Sequence, residues 1–186
     1  MSGRPRRLVL VRHGEAVSQV ADDPDPGLSD RGRAQAEQAA DHLAPLGPLP
    51  VVASPLRRTR ETAGPFGARW DRDVEIEPRV AEIAWPTDDL AARGRWLRRA
   101  MSGTWSDLPE PQRSWREEVV STLLALAKDT VVVTHLIAIN VAIGAATGDD
   151  RVVSTLVDNC STTVVRTDGR ALELVEAGAE AVTEIW

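Results

Sequence analysis

The amino-acid sequence predicts a three-layer α/β/α sandwich built on a mostly parallel mixed sheet, and three observations carry that expectation. Short apolar runs alternate with segments of helical character through most of the chain. Two of the runs, LVLVRH and TVVVTH, are continuously apolar and stop on a histidine, the pattern of strands covered on both faces that end at a loop. A late stretch, STTVVRTDGRALELVEA, reads as a hairpin with Asp168-Gly169 at its turn, which adds antiparallel strands to the sheet.

Taken in order, residues 7–11 (RLVLV) form the first strand, and the turn-rich loop ADDPDPGL follows it. In SDRGRAQAEQAADHLAPL, Ser29 can cap a helix whose apolar positions include Ala36, Ala39, Ala40 and Leu43, with Pro45 and Gly47 ending it. LPVVASP is a second short strand. PLRRTRETAGPFG opens a second helix with Pro55 near its first turn, where a missing N–H does no harm. DVEIEPRVAEI holds a third strand. From about residue 84 to residue 112 the composition shifts to prolines, the basic group RGRWLRR and three tryptophans, Trp85, Trp96 and Trp105, as expected of a short lid inserted over one edge. Residues 113–128 read as a helix, TVVVTH as the clearest strand, and LIAINVAIGAATG as a buried small-residue helix closed by Gly148. Residues 1–186 are expected to make a single domain, long enough to bury a substantial core.

Charge and cysteine usage narrow the classes of function. With 28 acidic against 22 basic residues the net charge is −6, which disfavours nonspecific binding to nucleic acid or to an anionic membrane. Any anionic ligand must be caught by a local cluster of cations. Cys160 is the only cysteine, so there is no internal disulfide, and a reducing compartment is expected. No cysteine set suggests a metal, and no cofactor is expected. The apolar run of MSGRPRRLVLVRHGE is broken at Arg12, too early for a signal-peptide core or a membrane span, which points to a soluble cytoplasmic protein.

Of three histidines, His13 and His135 share one setting, each closing an apolar strand. Ligands of open α/β sheets collect at the carboxyl ends of parallel strands, so the two would lie at one edge if their strands are neighbours. A single such histidine reads as a polar strand terminator bonded to a loop carbonyl; the pair favours a site. His42, inside AEQAADHLAPL, reads as a surface residue. ASPLRRTRETA brings Arg57, Arg58 and Arg60 to the start of a helix, where the dipole and free N–H groups already favour an anion. Helical spacing cannot aim all three inward, and Arg57 and Arg60 fit a solvated face.

These residues resemble the histidine phosphatase superfamily, also called phosphoglycerate mutase-like. The likeness runs in order through LVLVRHGEA, GLSDRGRAQAEQAADHL, ASPLRRTRETA, the acid of PRVAEIAW and VVVTHLIAIN. It implies that His13 is the nucleophile that becomes phosphohistidine. It also implies that Arg12, Arg58 and His135 hold the phosphoryl oxygens, and that Glu82 protonates the leaving oxygen and then activates water. Glu15 would support the loop. The chemistry asks that the second ring nitrogen of His13 donate to a backbone carbonyl, leaving the other bare for attack. Gln19 stands where many members have asparagine, with an amide able to reach a phosphate oxygen. Two further departures are Leu136 and Ile137 after His135, where Gly-Gly is usual, and IAWP after Glu82 in place of a glycine-containing run.

The resemblance implies a metal-independent phosphatase that hydrolyses phosphate monoesters through phosphohistidine. The alternatives are a phosphoglycerate-type mutase and a noncatalytic phospholigand-binding protein. The expected partner is a small phosphorylated metabolite, with a phosphopeptide in the same class, and neither nucleic acid nor membrane. Arg93, Arg95, Arg98 and Arg99 are candidates for a substrate carboxylate or second phosphate.

Overall fold

The computed structural model describes residues 4–18, 23–87 and 89–181. Six strands and five α-helices follow one another along them: β1 (Arg6–Arg12), α1 (Asp30–Leu43), β2 (Val51–Ala53), α2 (Arg57–Trp70), β3 (Val74–Ile76), α3 (Leu90–Met101), α4 (Glu110–Ala125), β4 (Thr130–Thr134), α5 (Leu136–Thr147), β5 (Thr162–Thr167) and β6 (Leu172–Glu176). The six strands form one sheet in the order β3-β2-β4-β1-β5-β6. β3, β2, β4 and β1 are parallel, and β5 and β6 are antiparallel additions at the β1 side.

Alternation along the central strands divides the core in two. Val9, Val11, Val51, Ala53, Val131 and Val133 face α1 and α2, meeting Ala39, Ala40, Leu43, Ala63 and Phe66. Leu8, Leu10, Val52, Val132 and Val165 face the other way, toward α4 and α5, where Val119, Leu123, Ile139 and Ile143 receive them. Strands buried on both faces need apolar residues at every position, which is why RLVLV and TVVV show no alternation in sequence. Each such side chain contributes about 1.5–3 kcal/mol through burial.

Local chemistry sets the ends of the helices. Ser29 Oγ accepts the N–H of Gly32 at the start of α1, and Gly148, at φ 73°, closes α5 in the left-handed region open to glycine. α2 starts at Arg57 with Leu56 as its cap, so Pro55 lies before the helix and not in its first turn. Pro65 sits inside α2, which forfeits one helical hydrogen bond there. α4 covers Glu110–Ala125, three residues earlier at each end than the expected 113–128, because Glu110 and Pro111 suit the first turn of a helix. The β5–β6 connection is a four-residue loop between the paired Thr167 and Leu172, with Gly169 at φ 93°, in place of a two-residue turn. Between residues 84 and 112 lies α3, whose Trp96, Leu97 and Met101 pack on the α4–α5 side of the core.

Candidate active site

β1 and β4 are parallel neighbours, and Arg12 pairs with Thr134 at their carboxyl ends. His13 and His135 therefore leave the sheet side by side, with ring centroids 5.2 Å apart. The next parallel strand, β2, ends at Ala53, and Ser54 after it leads toward α2, which brings in Arg58. Arg57 and Arg60 stay exposed on the same helix, Arg57 paired with Glu61 at 2.7 Å, and His42 is exposed on α1.

The hydrogen bonds fix the state of both rings. His13 Nδ1 lies 2.8 Å from the carbonyl of Gly14, so it carries the proton, and Nε2 presents its lone pair. Arg58 Nε donates to that lone pair at 3.2 Å, and Arg58 Nη2 reaches His135 Nδ1 at 3.3 Å. A guanidinium only donates, so His135 Nδ1 is an acceptor, and its Nε2–H points to Ser54 Oγ at 2.9 Å. Arg12 is held by Nη1 donating to the carbonyl of Val157 at 2.7 Å. Arg12 Nε and Arg58 Nη1 are buried donors with no acceptor among the described residues. Leaving such donors unpaired costs about 1–3 kcal/mol each. An anion between them would supply the acceptors.

The carboxylate expected at Glu82 is in the same place. Its Oε2 lies 3.7 Å from His135 Nδ1, and its Oε1 accepts the N–H of Ile83 at 3.2 Å. Burial raises the Glu82 pKa above its ordinary 4.5, against the opposing pull of Arg58, the Ile83 N–H and Arg12. Burial also dominates the histidines. His13 falls well below 6.5 through burial, then Arg58 and Arg12, and His135 does so through burial, then Arg58, His13 and Arg12. Both rings are thus neutral at physiological pH. Burial lowers Arg12 and Arg58 as well, without depriving either of its charge.

Several residues that sequence reasoning did not single out hold this arrangement. Asn159 Nδ2 donates to the carbonyl of His13 at 2.8 Å, and the N–H of Gly14 donates to Thr62 Oγ1 at 3.0 Å. Ser54, directly after β2, holds the His135 ring at Nε2. Glu15 behaves as a supporting residue, with its Oε1 accepting from Ser29 Oγ at 2.8 Å and its Oε2 3.4 Å from Arg31. Gln19 lies outside the described residues.

A cavity of about 520 Å³ opens from His13, while His135 lies buried behind it. Arg12, Arg58 and Glu82 line its floor; Val17, Trp85, Leu97, Met101, Leu136 and Ile137 supply apolar walls. Leu136 and Ile137, standing where glycines were the family expectation, are wall residues at the start of α5, whose N-terminus adds positive potential beside His135. Of the four candidate arginines of α3, Arg93 and Arg98 line the cavity and Arg95 and Arg99 do not. Trp105 is buried in the core and stacks on Trp115 at 6.0 Å, whereas Trp85 faces the cavity with Arg93 5.8 Å over its ring. Among the described residues no cluster of three or more His, Cys, Asp or Glu side chains could hold a metal ion, and no helix is long and apolar enough to cross a membrane.

An imidazole nitrogen without a proton, two buried guanidiniums with spare donors and a carboxyl whose pKa burial raises form a site suited to moving a phosphoryl group through histidine. Residues 8–180 match the family described as histidine phosphatase superfamily (branch 1), and the chain belongs to that superfamily. A glucosyl-3-phosphoglycerate phosphatase of Mycobacterium tuberculosis is 31% identical over 159 residues, covering 80% of this chain and 68% of that protein. One from Mycolicibacterium vanbaalenii is 45% identical over 83 residues, 42% of this chain and 37% of that protein, so the match spans little over a third of that relative. The solved mycobacterial glucosyl-3-phosphoglycerate phosphatase in complex with VO3 superposes with a TM-score of 0.69 at 25% identity, covering 94% of this chain and all of that one.

Proposed function

We propose that the protein is a phosphatase that hydrolyses phosphate monoesters of small metabolites through phosphohistidine at His13, without a metal ion. The observation that carries this reading is the tautomer of His13, with Nδ1 held on the Gly14 carbonyl and Nε2 bare among Arg12, Arg58 and Glu82. In the first step Nε2 bonds to phosphorus as the ester P–O bond breaks, and the proton of Glu82 passes to the leaving oxygen. In the second, Glu82, now ionised, takes a proton from water as the water oxygen bonds to phosphorus and the P–N bond breaks. Phosphate leaves, and His13 and Glu82 return to their starting states.

Arg58 gives up its bonds to the two rings to hold the equatorial oxygens, joined by Arg12. His135 can hold an oxygen only with a proton on Nδ1, which an ester bound as its monoanion supplies. The lone free cysteine and the acidic chain support a cytoplasmic protein with no role for nucleic acid or membrane.

Residues 84–112 act as the lid that selects the leaving group. Apolar walls with Arg98 at the cavity suit an alcohol with a sizeable body and a second negative group. A sugar-bearing phosphoglycerate, the compound in the relatives' names, combines these features. Chelator-treated protein should release phosphate from an aryl phosphate, and more readily from phosphate esters that also carry a carboxylate. Arg98→Ala should raise KM for the carboxylate esters alone, by roughly tenfold, as for one charge-assisted hydrogen bond. Activity that returns only with added divalent metal would contradict metal independence. Interconversion of phosphoglycerate isomers without phosphate release would make the protein a mutase, and phosphate binding without turnover would make it a binding protein.

A further inference from the structure

Thr134 ends β4 immediately before His135 and is only 2% exposed. Its carbonyl accepts the N–H of His13 at 3.0 Å, and its hydroxyl donates to the carbonyl of Val80 at 2.6 Å. One buried residue is thus bonded to the backbone of the nucleophile on one side and to the segment that leads into Glu82 on the other. A second anchor closes that segment. Gln112 of α4, 5% exposed, donates Nε2 to the carbonyl of Ala84 at 3.1 Å. Glu82 lies between the two anchors beside the fully buried Ile83. These ties span 54 and 28 residues of sequence, so neither is a by-product of local secondary structure.

We propose that Thr134 is a positioning residue for proton transfer: its hydroxyl fixes the Glu82 segment to the strand end that also sets His13 and His135, with Gln112 as the second anchor. The inference rests on the reading of Glu82 as the proton donor. A general acid must come within about 2.6–3.2 Å of the oxygen it protonates, and a misplacement of about 1 Å can cost on the order of a hundredfold. The phosphate cradle has its own supports, in Val157, Ser54 and Gly14, and does not depend on the Thr134 hydroxyl.

The test compares leaving groups. Thr134→Val keeps the shape of the side chain and removes the donor. It should lower kcat on an alkyl phosphate by about tenfold or more and on a nitrophenyl phosphate by less than about threefold, because a good leaving group needs little protonation. Inhibition by inorganic phosphate should stay unchanged, and Thr134→Ser should restore the alkyl rate. If the valine variant does not fold, Gln112→Met reads the same selectivity from the other anchor. Equal losses on both esters, or a serine variant as slow as valine, would overturn the proposal. Glu82→Gln, measured alongside, separates the two levels. Selective loss in Glu82→Gln but not in Thr134→Val defeats the positioning role alone, whereas no selectivity in Glu82→Gln defeats the proton-donor reading and this inference with it.

Discussion

Burial acts on His13 and Glu82 in opposite directions, and the proposed phosphoryl transfer to histidine would use both effects. Lowering the His13 pKa keeps the attacking, neutral ring populated below pH 6.5, and raising the Glu82 pKa keeps the acid form populated above pH 4.5. On the proposed reaction, activity should therefore be lost on acidification as His13 gains a proton, and lost on alkalinisation as Glu82 gives one up. The kcat/KM profile of an alkyl phosphate, which reports the free enzyme and the free ester, should be a bell once corrected for the ionisation of the ester. Its acid limb should lie well below pH 6.5, and Glu82→Gln should flatten the alkaline limb and spare the acid one; an alkaline limb that survives would assign it to another group. Cys160 takes no part in this range, since burial pushes its thiol up to about 12. As candidates, His13, Arg12 and His135 were legible in the sequence because each ends or directly follows a recognisable strand, and Arg58 because it lies at the start of a helix. Ser54, Thr62 and Asn159 were not, because each acts through a single bond to a residue 48 to 146 positions away.

The strand β1, the loop after it and the helix α1 work as one piece. The N–H of Ser29 donates to the Glu15 carbonyl at 2.9 Å, and Ser29 Oγ both caps α1 and donates to the Glu15 carboxylate. Two glycines let the loop and helix touch. A Cβ on Gly32 would lie 2.0 Å from the Glu15 carbonyl oxygen, and one on Gly14 would lie 2.6 Å from that of Gly32. Gly32→Ala should therefore cost about 1–3 kcal/mol in denaturant unfolding and sharply lower kcat by moving the loop that carries His13. Gly148→Ala, where a Cβ meets nothing within 4 Å, should cost only the left-handed backbone, about 1–2 kcal/mol, and leave kcat unchanged. Matching kcat losses in the two variants would contradict the loop's role. Caps and strands could be read from local signals such as Ser29 and Gly148. The close approach of Gly14 to Gly32 could not, because in sequence either glycine is indistinguishable from a turn former.

For the molecule as a whole, the decisive feature is the strand order. β1 and β4 are more than a hundred residues apart in sequence, yet they lie adjacent, and only that adjacency turns two strand-ending histidines into a pair. The sequence supplied the layers and the parallel character through apolar runs and helical segments, but pairing depends on how three crossovers fold back on the sheet. The same topology gathers Arg12 and Arg58 on a chain of net charge −6, so positive charge at the candidate site comes from placement and not from overall charge.

The proposed turnover requires a covalent bond between His13 Nε2 and phosphorus. The most direct test is to mix the protein with a phosphate ester labelled in its phosphoryl group, stop the reaction within a turnover, and digest under alkaline conditions that preserve phosphohistidine. The label should sit on the peptide containing His13, be released by acid, and be absent from His13→Ala, which should also fail to release phosphate. Label on another residue, or turnover that survives the loss of the imidazole, would contradict the account.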